Sequence, residues 1–373
     1  MKQDNVFVYH MMETQQKILQ TKERDSNLEL FRIFMMLSIV AHHYVVNSGL
    51  YSLAIEPPYD WQNYFVFLFG MWGKIGINCF VLITGYFMCK SEITIRKFLI
   101  LLFEVLFYNI TCYSIFLLTN YDTISLKGLY YALNPISSIT DNFTSCFFVY
   151  YLLIPFLNVL VNNLSRRQHT ILVLLCVLFF SLMDHIPGYK FRFNYVGWFC
   201  VLHVIASYIR FYQKDLKLLS SHSLLLIALG LLVAVVGVLV PVVAIDLGLP
   251  FRGSVYQYVI DSNAILAVLS SVLLFCGFKN IQIGQSKIIN TIASSTFGVL
   301  LIHANSDTMR RWLWGDVCQN VDWYNSSWLP LHAIGCVFAI YVLCIMIDKV
   351  RIYFIEKPIF VIVDKVLTRY GKR

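Results

Sequence analysis

Apolar runs of roughly bilayer-crossing length recur along the whole chain, separated by short polar connections. A helix that crosses a membrane needs about 20 consecutive apolar residues. By that measure the chain divides into about ten segments, at 28–48, 64–88, 97–119, 145–163, 170–184, 195–212, 222–245, 256–278, 288–306 and 328–348. The pattern predicts an all-α polytopic membrane protein with about ten transmembrane helices. The second segment is interrupted by Gly73-Lys74-Ile75-Gly76, which predicts a re-entrant piece followed by a shorter span. The fifth is short and ends at Asp184-His185-Ile186-Pro187-Gly188. Ser26-Asn27-Leu28-Glu29 has the Ser-x-x-Glu form of a capping box and marks the start of the first helix. Residues 1–27 are polar and mixed in charge, with no short apolar stretch leading to a small-residue cleavage site. They are expected to form an N-terminal tail, followed by a membrane domain over 28–355 and a C-terminal tail over 356–373.

Charge placement supports this division. Only 13% of the residues are charged and the mean hydropathy is +0.66, against about 25% charged in soluble domains. Alternate connections carry Lys90, Arg96 and Lys97, then Arg166 and Arg167, then Arg210, Lys214 and Lys217, then Lys279 and Lys287; both tails are basic. The intervening connections hold most of the loose acids, among them Glu56, Asp60, Asp122, Asp246 and Asp316. This is the positive-inside pattern with both termini cytoplasmic, and it requires an even number of spans. The formal net charge of +8 therefore follows the lipid bilayer and implies no nucleic acid. The ten cysteines are scattered singly with no metal-ligand spacing, so no disulfide and no metal is expected. The aromatic cluster Trp312, Trp314, Trp323 and Tyr324 reads as interfacial anchoring. No internal repeat is visible.

Ionisable groups inside membrane segments are costly and are functional candidates by default. Arg32 and His43 lie eleven residues apart, three turns plus ~20° at ~100° per residue, so they share one helix face about 16 Å apart along the axis. Histidine has an unperturbed pKa of about 6.5 and suits proton transfer at neutral pH. Arg32 can equally snorkel to the surface, and Glu29 reads as a cap and an i,i+3 partner of Arg32. His42 points about 100° away from His43. Lys74, Asn78, Glu104, Asn109, His203, Asp261, Asn263, His303 and Asn305 complete the polar set within the apolar segments. Glu104 and Asp261 read as packing partners of amides or hydroxyls.

These residues carry a resemblance. Asn27 to His43, with an acid and then Arg32-x10-His43, is similar to the opening helix of the integral membrane acyltransferase 3 family. Gly76-x3-Phe80-x3-Thr84-Gly85-Tyr86 resembles that family's second segment, with Thr84 where serine is usual. Thr296 to Asn305, continuing through Arg310-Arg-Trp-Leu-Trp314, is similar to the late histidine-bearing span of its polysaccharide O-acetyltransferase branch. Glu356-Lys-Pro358 resembles its closing Glu-x-Pro. The likeness runs from about residue 22 to 365. One departure concerns an Arg-x-x-Arg pair at the third span: here Arg96 and Lys97 keep the charge but not the spacing, and they read equally as topology determinants.

The resemblance implies a bacterial inner-membrane enzyme that moves an acyl group, usually acetyl, from cytoplasmic acetyl-CoA to a glycan hydroxyl at the outer face. Capsule, O-antigen and exopolysaccharide are the acceptor classes it suggests. Acetyl-CoA would be a substrate, with no tightly bound cofactor. His43 would deprotonate the acceptor, or pass through an acyl-histidine, with Arg32 and Glu29 beside it. Arg32 or Arg96 would receive the donor's phosphates. Lys74, Asn78, His303 and Asn305 are the substrate-binding candidates, and Asn78, Asn305 or Lys74 would contact the oxyanion. The competing reading is a transporter or flippase for a lipid-linked glycan. Transporters often pair broken helices in their two halves, and only Gly73 to Gly76 suggests such a break.

Overall fold

The computed structural model describes residues 25–370 except 138, 140, 141, 184, 185, 187–193, 251 and 252. The expected N-terminal tail up to residue 24 and the end of the fifth segment at Asp184 and His185 lie outside them. Among the described residues the chain is helical throughout, with no strand. The main helices are α1 (Ser26–Val46), α2 (Trp61–Gly70), α3 (Gly73–Met88), α4 (Ile95–Leu118), α5 (Phe143–Asn162), α6 (Arg166–Val177), α7 (Tyr195–Tyr212), α8 (Ser223–Asp246), α9 (Ile265–Asn280), α10 (Lys287–Ala293), α11 (Thr296–His303), α12 (Asp307–Arg311), α13 (Leu329–Arg351) and α14 (Lys357–Tyr370).

Seven of these helical stretches are long and apolar enough to cross a membrane, or eight if the bent pair Lys287–His303 and Asp307–Val317 counts as one. Every expected apolar segment contains helix, but three fall short of one long helix, the ninth being split into Lys287–Ala293 and Thr296–His303. Arg166–Val177 has 12 residues before a π-helical turn of five, and Ile265–Asn280 has 16. Many starts are fixed by small polar side chains capping backbone N–H groups. Asp60, Thr94, Asn142, Ser165, Asn194 and Ser286 all do this.

Three boundaries depart from expectation. Ser26 does not cap α1; Asp25 holds the N-cap position without a side-chain bond. The Ser26 hydroxyl instead bonds Asn290 Oδ1 at 3.0 Å and accepts from Ser286 N, fastening α10 to α1. The second segment has a two-residue turn at Met71 and Trp72 but runs as one stretch of 28 residues from Trp61 to Met88, not as a re-entrant piece and a shorter span, and Gly73 and Gly76 lie within α3. Those glycines serve close approach. A Cβ at Gly70 would stand 2.8 Å from Val45, one at Gly73 would run into the His42 imidazole, and one at Gly76 would stand 2.7 Å from Ile39. Three glycines spaced by three thus seat against three α1 residues spaced by three, as small residues do where membrane helices touch. The eighth segment is helical only from Ile265. In the preceding non-helical stretch, Ser262 O accepts from Asn78 Nδ2 at 2.7 Å. Asn263 Nδ2 donates to Phe180 O and Tyr256 Oη to Phe67 O. Irregular backbone inside a bundle needs such partners.

α13 runs antiparallel to α1. Tyr44 Oη bonds His332 Nδ1 at one end, and α10 links Ser26 towards Lys349 at the other through Ser294. Ser26 and Arg351 therefore lie at the same end of the bundle. Arg351, 3% exposed, is the centre of a buried ionic node there. Its Nε meets Asp348 Oδ1 at 2.9 Å, Nη2 meets Glu104 Oε1 at 3.1 Å, and Nη1 meets Glu356 Oε2 at 2.5 Å. Tyr108 Oη donates to Asp348 Oδ1. Glu104, read from sequence as a partner of amides or hydroxyls, is thus half of an ion pair. The π-helical turn Ile352–Glu356 brings Glu356 back over the guanidinium. Removing one partner of a buried ionic cluster costs about 3–5 kcal/mol. Arg351→Met is therefore expected to lower stability by about that amount, read as the unfolding midpoint of detergent-solubilised protein; an unchanged midpoint would contradict the node's role.

Candidate active site

The bundle holds a partly open chamber of about 790 Å³. α1 contributes Met36, Ile39, His42 and His43, α3 contributes Lys74 and Phe80, and α4 contributes Val105 and Asn109. The connection after α4, α11 and α12 close the other sides, with Tyr131, Asn142, Asn305 and Arg310. Its polar and aromatic walls lie towards the end of the bundle away from Ser26. Towards Ser26 the lining turns apolar, at Met36, Phe80 and Val105.

His43 sits on this wall, bonded through Nδ1 to His303 Nε2 at 2.9 Å. His303 is fully buried and places its own Nδ1 2.6 Å from Val299 O. A carbonyl only accepts, so His303 Nδ1 carries a proton. With both rings neutral, His303 Nε2 is then an acceptor and His43 Nδ1 must donate to it. That leaves His43 Nε2 as the nitrogen with a free lone pair, on a ring that lines the chamber. His42 is held the same way, with Nδ1 at 2.5 Å from Gly70 O. The glycine ladder presses α3 against its ring. Trp314 packs edge-on to both His303 and Tyr44. Trp314 is fully buried, so the interfacial reading of this tryptophan is corrected: it braces the histidine pair.

The other expected residues fall at different places. Lys74 lines the chamber and donates to Tyr195 Oη. Asn305 lines it too, with its amide donating to Asn109 Oδ1 and Leu301 O. Asn78 is fully buried outside the lining, its Nδ2 on Ser262 O and its Oδ1 accepting from Trp198 Nε1 at 2.9 Å. With both amide atoms engaged, Asn78 is part of the scaffold. Arg32 and Glu29 form the expected i,i+3 pair at 3.5 Å. The chamber's lining on α1 ends at Met36, one turn short of Arg32. Arg96 bonds Asp364 at 2.7 Å with both side chains nearly half exposed, a surface tie between α4 and α14 worth about 0–1 kcal/mol.

Sequence reading counts His42 and Asn109 among the polar residues of the spans without assigning them to the site, and both line the chamber. Arg310 was seen only within a motif; the 92° bend before α12 returns it towards His303, where its Nη2 lies 3.4 Å from Ala304 O. A proton acceptor with a fixed tautomer, flanked by cations and facing a polar chamber, suits general-base attack by a hydroxyl. If His303 sets that tautomer, His303→Phe should lower turnover by about 10²-fold while the protein still folds. His303→Gln, which can accept from His43 Nδ1, should lose less. Equal turnover in all three proteins, measured on purified enzyme, would remove His303 from the mechanism.

The family model described as an acyltransferase domain, acyltransferase 3, matches residues 25–349. That region takes in α1 with its Arg-x10-His, the chamber and nearly all of α13. No curated protein and no solved structure matches the chain. The chain is a multi-pass membrane protein, and it belongs to the acyltransferase 3 family of acyltransferases.

Proposed function

We propose that the protein is an O-acetyltransferase of the bacterial inner membrane, moving acetyl from cytoplasmic acetyl-CoA to a hydroxyl of a cell-surface or lipid-linked polysaccharide. The observation that carries this reading is the His43–His303 pair, which leaves a free imidazole nitrogen on the wall of the chamber. The polar, tyrosine-bearing side of the chamber suits a sugar, whose hydroxyls and apolar ring faces need both kinds of partner. Capsule, O-antigen and exopolysaccharide are the acceptors proposed.

In this reading the acceptor hydroxyl approaches His43 Nε2 and loses its proton as it attacks the thioester carbonyl. Lys74, held beside Tyr195, orients the substrate. Asn305 and Asn109 line the opposite wall and offer carbonyl oxygens to sugar hydroxyls. Arg32, about 16 Å along α1 from His43 by helix rise, receives the phosphate-bearing end of the donor, with Glu29 fixing its guanidinium. The acyl end then passes the apolar collar of Met36, Phe80 and Val105 to reach the base.

The test is transfer of labelled acetyl from acetyl-CoA to glycan in purified membranes, alongside acetyl analysis of the host's surface glycans with and without the protein. A general base is worth about 10²–10⁴ in rate, so His43→Ala should lose transfer by that factor. Full transfer by a folded His43→Ala protein would sink the mechanism. A planar guanidinium binds phosphate in two places where an ammonium is a point charge. Arg32→Lys should therefore raise the KM for acetyl-CoA; an unchanged dependence on donor concentration would remove Arg32 from donor binding.

A further inference from the structure

We propose that Arg310 is a catalytic residue of this site, holding the acyl carbonyl oxygen as it becomes an oxyanion. The assignment rests on the acyl-transfer reading above and adds the group that reading lacks.

An oxyanion needs N–H donors, or a cation, free to face it. The candidates can be sorted by what their hydrogens already do. Asn78 stands outside the chamber with its amide on Ser262 O. Asn305 has two N–H bonds to give and gives them to Asn109 Oδ1 and Leu301 O. Lys74 donates to Tyr195 and stands on the α3 side of the chamber, against His42. Arg310 carries five N–H bonds. One goes from Nη1 to Asp307 Oδ1 at 2.9 Å and one from Nη2 to Ala304 O at 3.4 Å. Its Nε is buried and has no partner.

The position is built by the fold. Ser306 Oγ accepts from Met309 N and starts α12 immediately after the bend. Arg310, one turn on, is tethered to the carbonyl of Ala304, the residue that follows His303. The guanidinium is thus tethered at the residue next to His303, among the side chains that line the chamber. The two acids that line the chamber, Asp122 and Asp307, lie on the connection after α4 and at the first residue of α12. Asp122 accepts from Thr308, and the Asp307 side chain is 98% exposed. A carboxylate so solvated neutralises its partner weakly.

The acceptor oxygen bonds to the acyl carbon as its proton moves to His43 Nε2. The carbonyl oxygen takes the negative charge and faces Arg310. Collapse breaks the C–S bond, expels the CoA thiolate, and the proton on His43 passes to that sulfur.

The test uses the full-length protein in lipid nanodiscs with acetyl-CoA, following thiol release and transfer of label to host glycan extract. Removing one oxyanion donor typically costs about 10²–10³ in kcat. Arg310→Gln should fall by that factor with the KM for acetyl-CoA unchanged, and guanidinium ion should partly restore Arg310→Gly. Arg311→Gln, altering the neighbouring exposed arginine, should keep wild-type kcat. Should Arg310→Gln not fold, Arg310→Lys carries the test with at least a 10-fold expected loss. Wild-type kcat in Arg310→Gln overturns the assignment. So does a loss that follows a lowered melting temperature and that guanidinium does not restore, because a structural clamp would behave so. A wild-type protein that releases no thiol from acetyl-CoA overturns the acyl-transfer reading, and the assignment with it.

Discussion

The hydrogen bond from His43 Nδ1 to His303 Nε2 joins residues 260 positions apart in the chain. Its direction is set one step further back, by the carbonyl of Val299 on the same helix as His303. A helix carbonyl near the end of α11 thus decides which nitrogen of an imidazole on α1 is basic. Elsewhere a histidine on a reactive wall is commonly backed by a carboxylate. Here the group that backs His43 is a second, buried imidazole. That arrangement fixes the orientation of the His43 ring without a carboxylate in contact with it.

The chamber is asymmetric along the bundle axis. One end of it is lined by amides, hydroxyls and tyrosines, and the other by Met36, Phe80 and Val105. Met36 and Val105 are each 1% exposed. Arg32 and Glu29 lie beyond that collar. These apolar residues lie between the polar wall and the end of the bundle where the two charged residues of α1 sit. Their side chains also give a low-dielectric floor under His43, which strengthens every hydrogen bond made there.

Local signals were legible in the sequence. Each apolar segment contains a helix, and Asp60, Thr94, Asn142, Ser165, Asn194 and Ser286 sit where caps are needed. The face shared by Arg32 and His43 follows from helix geometry alone, and so does the Glu29–Arg32 pair. What sequence could not supply is pairing across hundreds of residues. Asn78 looks like any amide in a membrane helix until Ser262 and Trp198 close on it. Glu104 reads as a lone acid because its cation, Arg351, arrives 247 residues later. Trp314 has the composition of an interfacial anchor, yet the bend before α12 folds it inward. The glycines at 73 and 76 look like a helix break, and only the ring of His42 and the side chain of Ile39 explain them as contact points. Arg310 was hidden for the same reason: its role depends on a turn between two helices, and periodicity says nothing about turns.

The Arg351 node also bears on how the protein is made. Glu104 enters the bilayer with the third apolar segment, while the guanidinium that neutralises it lies 247 residues downstream. At ribosomal speeds of about 5–20 residues per second, that is about 12–50 s of exposure. Over this interval the acid has to hold a proton, stay near the surface, or lean on a provisional partner. Asp348 and Arg351 then arrive together on the final long helix and bring the cation with them. The span that carries Arg351 therefore settles the charge of the third, so nascent chains stalled before residue 351 would carry an unpaired acid and should be the forms that quality-control proteases remove.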